Sequence, residues 1–141
     1  MPVVVMMTRE AEQQRKRLRG SVEKSYTSWL ERIRNDGCRA MGYRMTGAIV
    51  EHLCVQHLRD NWRVIASFHS PRRATVLLIG QHLDHAPALD VYARLYALAG
   101  VEPPGSKRTK PPCCDGQGLP PEWNEQCQDV VDHARAITRR G

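Results

Sequence analysis

The stretch "WRVIASFHSPRRATVLLIGQHLDH", residues 62–85, decides the fold of this chain. It contains two apolar runs, 62–69 and 74–80, separated by a Ser-Pro turn signal. A third run, 49–58, precedes them across an Asp-Asn turn signal. We therefore predict three successive antiparallel strands in a meander. The last strand, "ATVLLIG", is continuously apolar, which is typical of a central strand covered on both faces.

Before the meander, the sequence predicts one strand and two helices. Residues 2–8 form a short β-branched run, and Thr8 can cap the polar helix that follows at 9–20. Residues 22–36 carry one apolar stripe and end before Gly37, which predicts a second helix. We expect Ser21 to cap this second helix, so that the two helices form an antiparallel hairpin.

After the meander, residues 88–100 predict a third amphipathic helix with Leu89 in its apolar stripe. The predicted fold is therefore α+β: a small twisted, mainly antiparallel sheet in the order β-α-α-β-β-β-α, flanked by helices. We expect a main domain at 1–101, a Pro/Gly-rich linker with little core potential at 102–120, and a C-terminal helical extension at 121–141.

The amino-acid composition and the net charge of the chain favour some classes of partner over others. The net charge is +6, and Arg outnumbers Lys by 17 to 4. Because the planar guanidinium grips phosphate and stacks on bases, this bias favours nucleic acid as a partner. An acidic protein partner or a GC-rich genome would explain the same bias. The chain has no apolar span long enough for a membrane and no signal-peptide pattern, which predicts a cytoplasmic protein with no membrane partner.

The five cysteines are odd in number and come without a secretion signal, which argues against a disulfide framework. Cys38 and Cys54 stand among apolar neighbours and are interpreted as small buried hydrophobes. The C-terminal region holds a weaker alternative, a set of four potential zinc ligands: Cys113, Cys114, Cys127 and His133. Adjacent cysteines are poor chelators, so we expect no metal or other cofactor and treat this region as an extension that docks on the domain.

The order of these segments resembles the RelE/ParE toxins of type II toxin–antitoxin systems. The likeness spans 2–99 and rests on "SWLERIRND", "GYRMTG", "HLRDNWRVIASF", "ATVLLIGQH" and "LDVYARL". The resemblance implies a cognate antitoxin that neutralises the basic toxin. It also implies one of two activities, metal-independent and ribosome-dependent cleavage of messenger RNA or inhibition of DNA gyrase. A non-catalytic RelE-like binding protein is a third alternative, since fold does not fix function.

Metal-free RNA cleavage needs a base for the 2′-hydroxyl, a cation for the charged phosphorane and an acid for the leaving 5′-oxygen. The resemblance implies that Arg63 grips the phosphate. His82 and His85 follow the last strand and are candidates for the acid and the base, because histidine titrates near neutrality. Tyr92 matches a family position that orients or stacks on the substrate.

Further substrate contacts are expected near the ends of these strands. Gln81 can hydrogen-bond a phosphate or a base edge, and further candidates are Gln56, His57 and Arg59. Some ribonucleases of the family carry two lysines on the strand before "WRV". The equivalent stretch here is "LCVQHL", which has none, so either His57 and His52 replace them or the site does not cleave RNA.

Overall fold

The computed structural model describes residues 2–47, 49–103 and 110–140, with side chains described as far as residue 134. Residues 104–109 of the predicted linker and residue 141 of the predicted extension lie outside the described residues. The helices and strands are β1 (Val4–Met7), α1 (Arg9–Lys16), α2 (Gly20–Asp36), β2 (Tyr43–Arg44), β3 (Leu53–His57), β4 (Trp62–Ser70), β5 (Arg73–Gln81), α3 (Val91–Ala99) and α4 (Glu125–Arg140).

The strands form one open sheet in the order β1-β5-β4-β3-β2. β1 runs parallel to β5, and all the other neighbouring pairs are antiparallel. The predicted meander is confirmed, with β3 paired to β4 and β4 paired to β5. The predicted α+β class with a mostly antiparallel sheet is therefore also confirmed. β2 was not predicted, because a two-residue strand leaves no periodic signal.

Each face of the sheet carries its own apolar core, because successive strand residues point to opposite faces. On the first face, Val64 and Phe68 of β4 pack with Trp29 and Ile33 of α2. The residues of the second core come from β3, β4, β5, α3 and α4 and include Leu53, Ile65, Leu78, Leu95 and Val130. The sheet is therefore covered on both sides, as its continuously apolar β5 indicates.

The C-terminal extension packs against the second face. Val130 and Val131 of α4 are 1% exposed, and the ring of His133 lies 2.7 Å from the carbonyl oxygen of Leu98. Trp123, just before α4, stacks on His69 of β4 with ring centroids 3.8 Å apart. The extension is thus a structural layer of the domain rather than a free tail.

α1 and its N-cap provide hydrogen-bond partners for the part of β5 that extends beyond β1. The Thr8 hydroxyl donates to the carbonyl oxygen of Leu77 at 2.8 Å and accepts from the amide of Ala11 at 3.0 Å. The Gln14 side chain accepts from the amide of Ile79 at 2.7 Å. The predicted cap at Thr8 is confirmed, and the same hydroxyl satisfies a main-chain acceptor of the sheet.

Some predicted helix ends differ from those observed. α2 begins at Gly20 with Arg19 as its N-cap and no side-chain cap bond, so Ser21 lies within the helix rather than capping it. Gly37 ends α2 as predicted, with φ 63°. Leu89 is 72% exposed, because residues 87–89 form a short 3-10 turn and α3 begins only at Val91.

The prediction against disulfide bonds was wrong. Cys38 is bonded to Cys114 and Cys54 to Cys113, with Cα–Cα distances of 5.6 and 5.8 Å. The odd number of cysteines argued against disulfide bonds, but it arises because Cys127 is buried and unpaired while the other four form two bonds. Cys113 is 1% exposed, so the second part of the predicted linker contributes to the core.

The alternative zinc set does not assemble in the described part of the chain. Cys113 and Cys114 are consumed by the disulfide bonds, and Cys127 is buried in α4. Among the described residues, no group of three or more His, Cys, Asp or Glu side chains is placed to hold a metal ion.

Within the same residues, no helix combines the length and the apolar character needed to cross a bilayer.

Candidate active site

A polar cluster lies where β3, β4 and β5 end beside the start of α3. The strand register sets His57 opposite Arg63 and Arg63 opposite Gly80, which places the three positions in one row on the second face of the sheet. We call the following residues the His–Tyr cluster: Tyr43, His57, Arg63, His82, Asp90 and Tyr92.

Two tyrosine hydroxyls connect β2, β3 and α3. The Tyr43 hydroxyl lies 3.1 Å from Nε2 of His57 and 3.2 Å from the hydroxyl of Tyr92. Tyr92 is almost completely buried, so its ring is anchored in the second core while its hydroxyl reaches the cluster. Tyr92 therefore contributes its ring to the apolar core and its hydroxyl to the polar cluster.

Arg63 brings the positive charge. One terminal nitrogen donates to the carbonyl oxygens of Asp60 and Trp62 at 3.3 and 3.0 Å, which holds the guanidinium near the turn between β3 and β4. Its Nε is buried and has no hydrogen-bond acceptor among the described residues. A buried N–H group without an acceptor is uncommon in folded proteins, so the environment of this guanidinium is unusual.

The surroundings of the cluster lower the pKa of His57 and raise the pKa of Tyr92. Partial burial lowers the pKa of His57, and the charges of Arg63, Lys110 and His82 lower it further. The neutral, proton-accepting imidazole is therefore favoured near neutral pH. Burial holds the pKa of Tyr92 well above its ordinary value, the hydrogen bond with Tyr43 adds to this, and Arg63 opposes it. Tyr92 therefore keeps its proton and acts as a hydrogen-bond donor.

His82 is held by a buried carboxylate. Its Nδ1 lies 2.9 Å from Oδ1 of Asp90, so this nitrogen can donate to the carboxylate, which holds the ring in place. Nε2 lies 3.2 Å from Oδ1 of the exposed Asp84. The ring meets Tyr92 edge-on, with centroids 4.8 Å apart. An imidazole fixed in this way can carry a proton to or from a bound substrate.

Gly80 allows β5 and α3 to approach each other at this point. A Cβ at Gly80 would lie 3.2 Å from Cβ of Val91, so a larger residue would push the helix away from the strand. The close approach brings Asp90, the N-cap of α3, next to His82 at the end of β5.

The structure brings together four residues that the sequence singled out: His57, Arg63, His82 and Tyr92. Gln56 precedes His57 on the strand and donates to the carbonyl oxygen of His57 itself. Gln81 donates to Oδ1 of Asn61 at 3.3 Å and faces a cavity of about 380 Å³ beside α1. Both amides thus lie outside the His–Tyr cluster.

Three other predicted residues also lie outside it. The side chains of Arg59 and His85 are exposed and make no hydrogen bond or ion pair with the described residues. His52 faces a separate cavity and lies 3.8 Å from the carboxylate of Glu51. Of the two histidines considered as substitutes for strand lysines, only His57 is part of the cluster.

Sequence reasoning missed Tyr43, Asp90 and Lys110. Asp90 had a usable signal, because an aspartate directly before the apolar helix at Val91 is a preferred N-cap. Tyr43 lies on the unpredicted β2, and Lys110 lies in the predicted linker.

Comparison with models of known protein families gave no match, and a search of curated proteins found no significant relative.

Proposed function

We propose that this chain is a RelE-like endoribonuclease, the toxin of a type II toxin–antitoxin module, which cleaves messenger RNA by attack of the 2′-hydroxyl on the adjacent phosphate. The observation that carries the proposal is the His–Tyr cluster itself. It joins a histidine biased toward its neutral form, a second histidine held by a carboxylate, and a guanidinium with a buried donor. These are the three components that metal-free RNA cleavage needs.

The roles follow from these environments. His57 takes the proton of the 2′-hydroxyl, and the 2′-oxygen then bonds to phosphorus. Arg63 stabilises the added negative charge of the phosphorane. The bond to the 5′-oxygen breaks as His82 donates its Nε2 proton, with Asp90 stabilising the protonated ring. The products are a 2′,3′-cyclic phosphate and a 5′-hydroxyl end.

Two tyrosine hydroxyls position the reacting groups. Tyr43 bridges His57 and Tyr92, which orients the imidazole of the base. Tyr92 keeps its proton and can donate to a phosphate oxygen. The net charge of +6 suits both RNA on the ribosome and an acidic segment of a cognate antitoxin.

The test is controlled expression of the chain in a bacterial host without a partner. Growth, RNA integrity with mapping of 5′-hydroxyl ends, and plasmid supercoiling are measured together. We expect arrested growth and cleaved messenger RNA for the natural sequence, and at least a hundredfold loss of cleavage for His82→Gln. His85→Gln is the matched control, because it changes an exposed histidine of the same loop.

Different outcomes separate the alternatives. Intact RNA with altered supercoiling would favour inhibition of DNA gyrase. Normal growth with intact RNA would favour a non-catalytic binding protein. Full cleavage by both His82→Gln and Arg63→Gln would show that another site cleaves the RNA.

A further inference from the structure

A segment of the C-terminal region returns to the sheet beside the His–Tyr cluster. The carbonyl oxygen of Pro111 accepts from the amide of Arg44 at 2.8 Å, and Pro112 forms an isolated antiparallel bridge with Tyr43. Nε of Arg44 donates to the carbonyl oxygen of Cys113 at 3.3 Å. The segment 110–114, which we call the anchored segment, therefore lies along the outer side of β2.

Two disulfide bonds fix this position. Cys113 is bonded to Cys54 of β3, and Cys114 is bonded to Cys38 after α2. Because adjacent residues are tied to two different elements, the chain can neither slide along β2 nor rotate about one bond. The two prolines before them restrict the backbone further.

Lys110 stands at the start of the anchored segment and points toward the cluster. Its Nζ lies 5.4 Å from the ring centroid of Tyr43, the residue that bonds His57. The charge of Lys110 also contributes to the lowered pKa of His57. The ammonium therefore lies close to the proposed base, on the side of β2.

We propose that Lys110 is a substrate-binding residue of the His–Tyr cluster, whose ammonium contacts an RNA phosphate at or next to the bond that is cut, and that the two disulfide bonds of the anchored segment hold it there. The inference rests on the proposed function for the identity of its anion. The stretch "LCVQHL", residues 53–58, contains no lysine, and Lys110 places an ammonium beside Tyr43, which pairs with Val55 of that stretch. A lysine is a compact point charge that suits phosphate binding.

The arrangement makes substrate binding depend on thiol oxidation. A dithiol reductant gives two electrons and two protons to each disulfide, which yields four cysteine thiols, while each reductant molecule becomes a disulfide. The anchored segment then keeps only its hydrogen bonds to β2, and Lys110 loses its fixed position. Reduction thus removes a phosphate contact without touching His57 or Arg63.

The test compares three variants of the full chain: Lys110→Gln, Lys110→Arg and Lys24→Gln. Lys24 is an exposed lysine of α2 and serves as the matched control. Binding is measured with a short RNA that carries a 2′-deoxy nucleotide at the cut position, and cleavage with the all-ribose form, with translating ribosomes added if cleavage requires them. We expect about tenfold weaker binding and slower cleavage for Lys110→Gln, near-normal values for Lys110→Arg, and no change for Lys24→Gln.

A second readout does not depend on cleavage. Titration of the His57 ring by NMR should give a higher pKa in Lys110→Gln than in the natural sequence, because one repelling charge is gone. Reduction of the natural sequence should raise the same pKa and weaken RNA binding, whereas Cys127→Ala should change neither.

The outcomes separate the two proposals. Cleavage that is lost in His82→Gln but unchanged in Lys110→Gln would overturn the role of Lys110 and leave the nuclease standing. Absence of cleavage by the natural sequence would overturn the nuclease, and the His57 titration would still decide whether Lys110 faces the cluster. An unchanged His57 pKa in both Lys110→Gln and the reduced protein would refute the placement.

Discussion

The carboxylate of Asp90 accepts hydrogen bonds from three donors. Oδ1 lies 2.7 Å from the amide of Leu83 and 2.9 Å from Nδ1 of His82, while Oδ2 accepts from the amide of Ala93 at 2.9 Å. One side chain therefore starts α3, closes the loop after β5 and holds the ring of His82. These hydrogen bonds satisfy the carboxylate, although Asp90 is only 8% exposed.

Asp90→Asn separates the two roles. The amide oxygen can still cap the helix, but the amide nitrogen replaces the oxygen that accepts from Leu83 and His82, so we expect a loss of stability of about 1–3 kcal/mol. The neutral side chain no longer stabilises a charged imidazole, so RNA cleavage should fall by at least tenfold. Thermal unfolding and a pH–rate profile check the two parts. Unchanged cleavage together with an unchanged profile would refute the proposed role of Asp90.

At the scale of single residues, sequence patterns found the imidazoles and the guanidinium but not the groups that orient them. His82 directly follows the strongly apolar β5, which marks it as a side chain at a strand end, whereas Arg63 was singled out by the resemblance to RelE/ParE toxins. Asp90 is only 8 positions from His82 and was open to recognition as a helix N-cap, whereas Tyr43 reaches the site through a contact between distant elements, 49 positions from Tyr92. Such contacts follow from tertiary packing, which local periodicity does not encode.

Between elements, an ion pair ties α1 to α3. Nε and Nη2 of Arg94 donate to the two carboxylate oxygens of Glu10 at 2.9 and 2.7 Å. The Glu10 side chain is 14% exposed, against 45% for Glu23 in the 3.6 Å pair with Arg15, so the carboxylate of Glu10 is better shielded from solvent. The bidentate geometry fixes α3, and with it Asp90, relative to the first layer of helices.

We expect Glu10→Gln to lower the free energy of unfolding by about 1–3 kcal/mol, because it leaves a partly buried guanidinium without its carboxylate. Glu23→Gln is the matched control and should change it by less than about 0.5 kcal/mol, since exposed ion pairs contribute little. Urea unfolding of both variants measures the difference. Equal, small effects would mean that the Glu10–Arg94 pair does not hold α3 in place.

At the scale of elements, the sequence predicted the meander and the helices well and their ends less well. Alternating and continuous apolar runs define β4 and β5 because those strands are long. β2 has two residues and is set by its pairing with β3 and with Pro112. Its position depends on a chain segment that is remote in sequence, so no local pattern could reveal it.

The whole molecule is stabilised by covalent links between remote parts of the chain. The bonds Cys38–Cys114 and Cys54–Cys113 join residues 76 and 59 positions apart. Closing loops of this size restricts the unfolded chain by about 4 kcal/mol for a single bond. Disulfide bonds persist mainly in oxidising surroundings, which disagrees with the cytoplasmic location that the sequence predicts.

We expect reduction to lower the melting temperature by at least about 10 °C, since the loss of even one of the two bonds removes about 4 kcal/mol in a domain of this size. Calorimetry with and without a phosphine reductant measures the shift. Alkylation of the denatured, unreduced protein followed by mass spectrometry should label one cysteine, Cys127. Labelling of all five cysteines without reductant would contradict the disulfide pairing.

The two prolines beside β2 also affect how copies of this protein meet each other. Pro111 and Pro112 have no amide hydrogen to offer, so the outer rim of the sheet presents few donors there. Neighbouring molecules are therefore discouraged from joining rim to rim into extended fibrous aggregates on that side. The opposite rim of the sheet is formed by β1, which contains no proline.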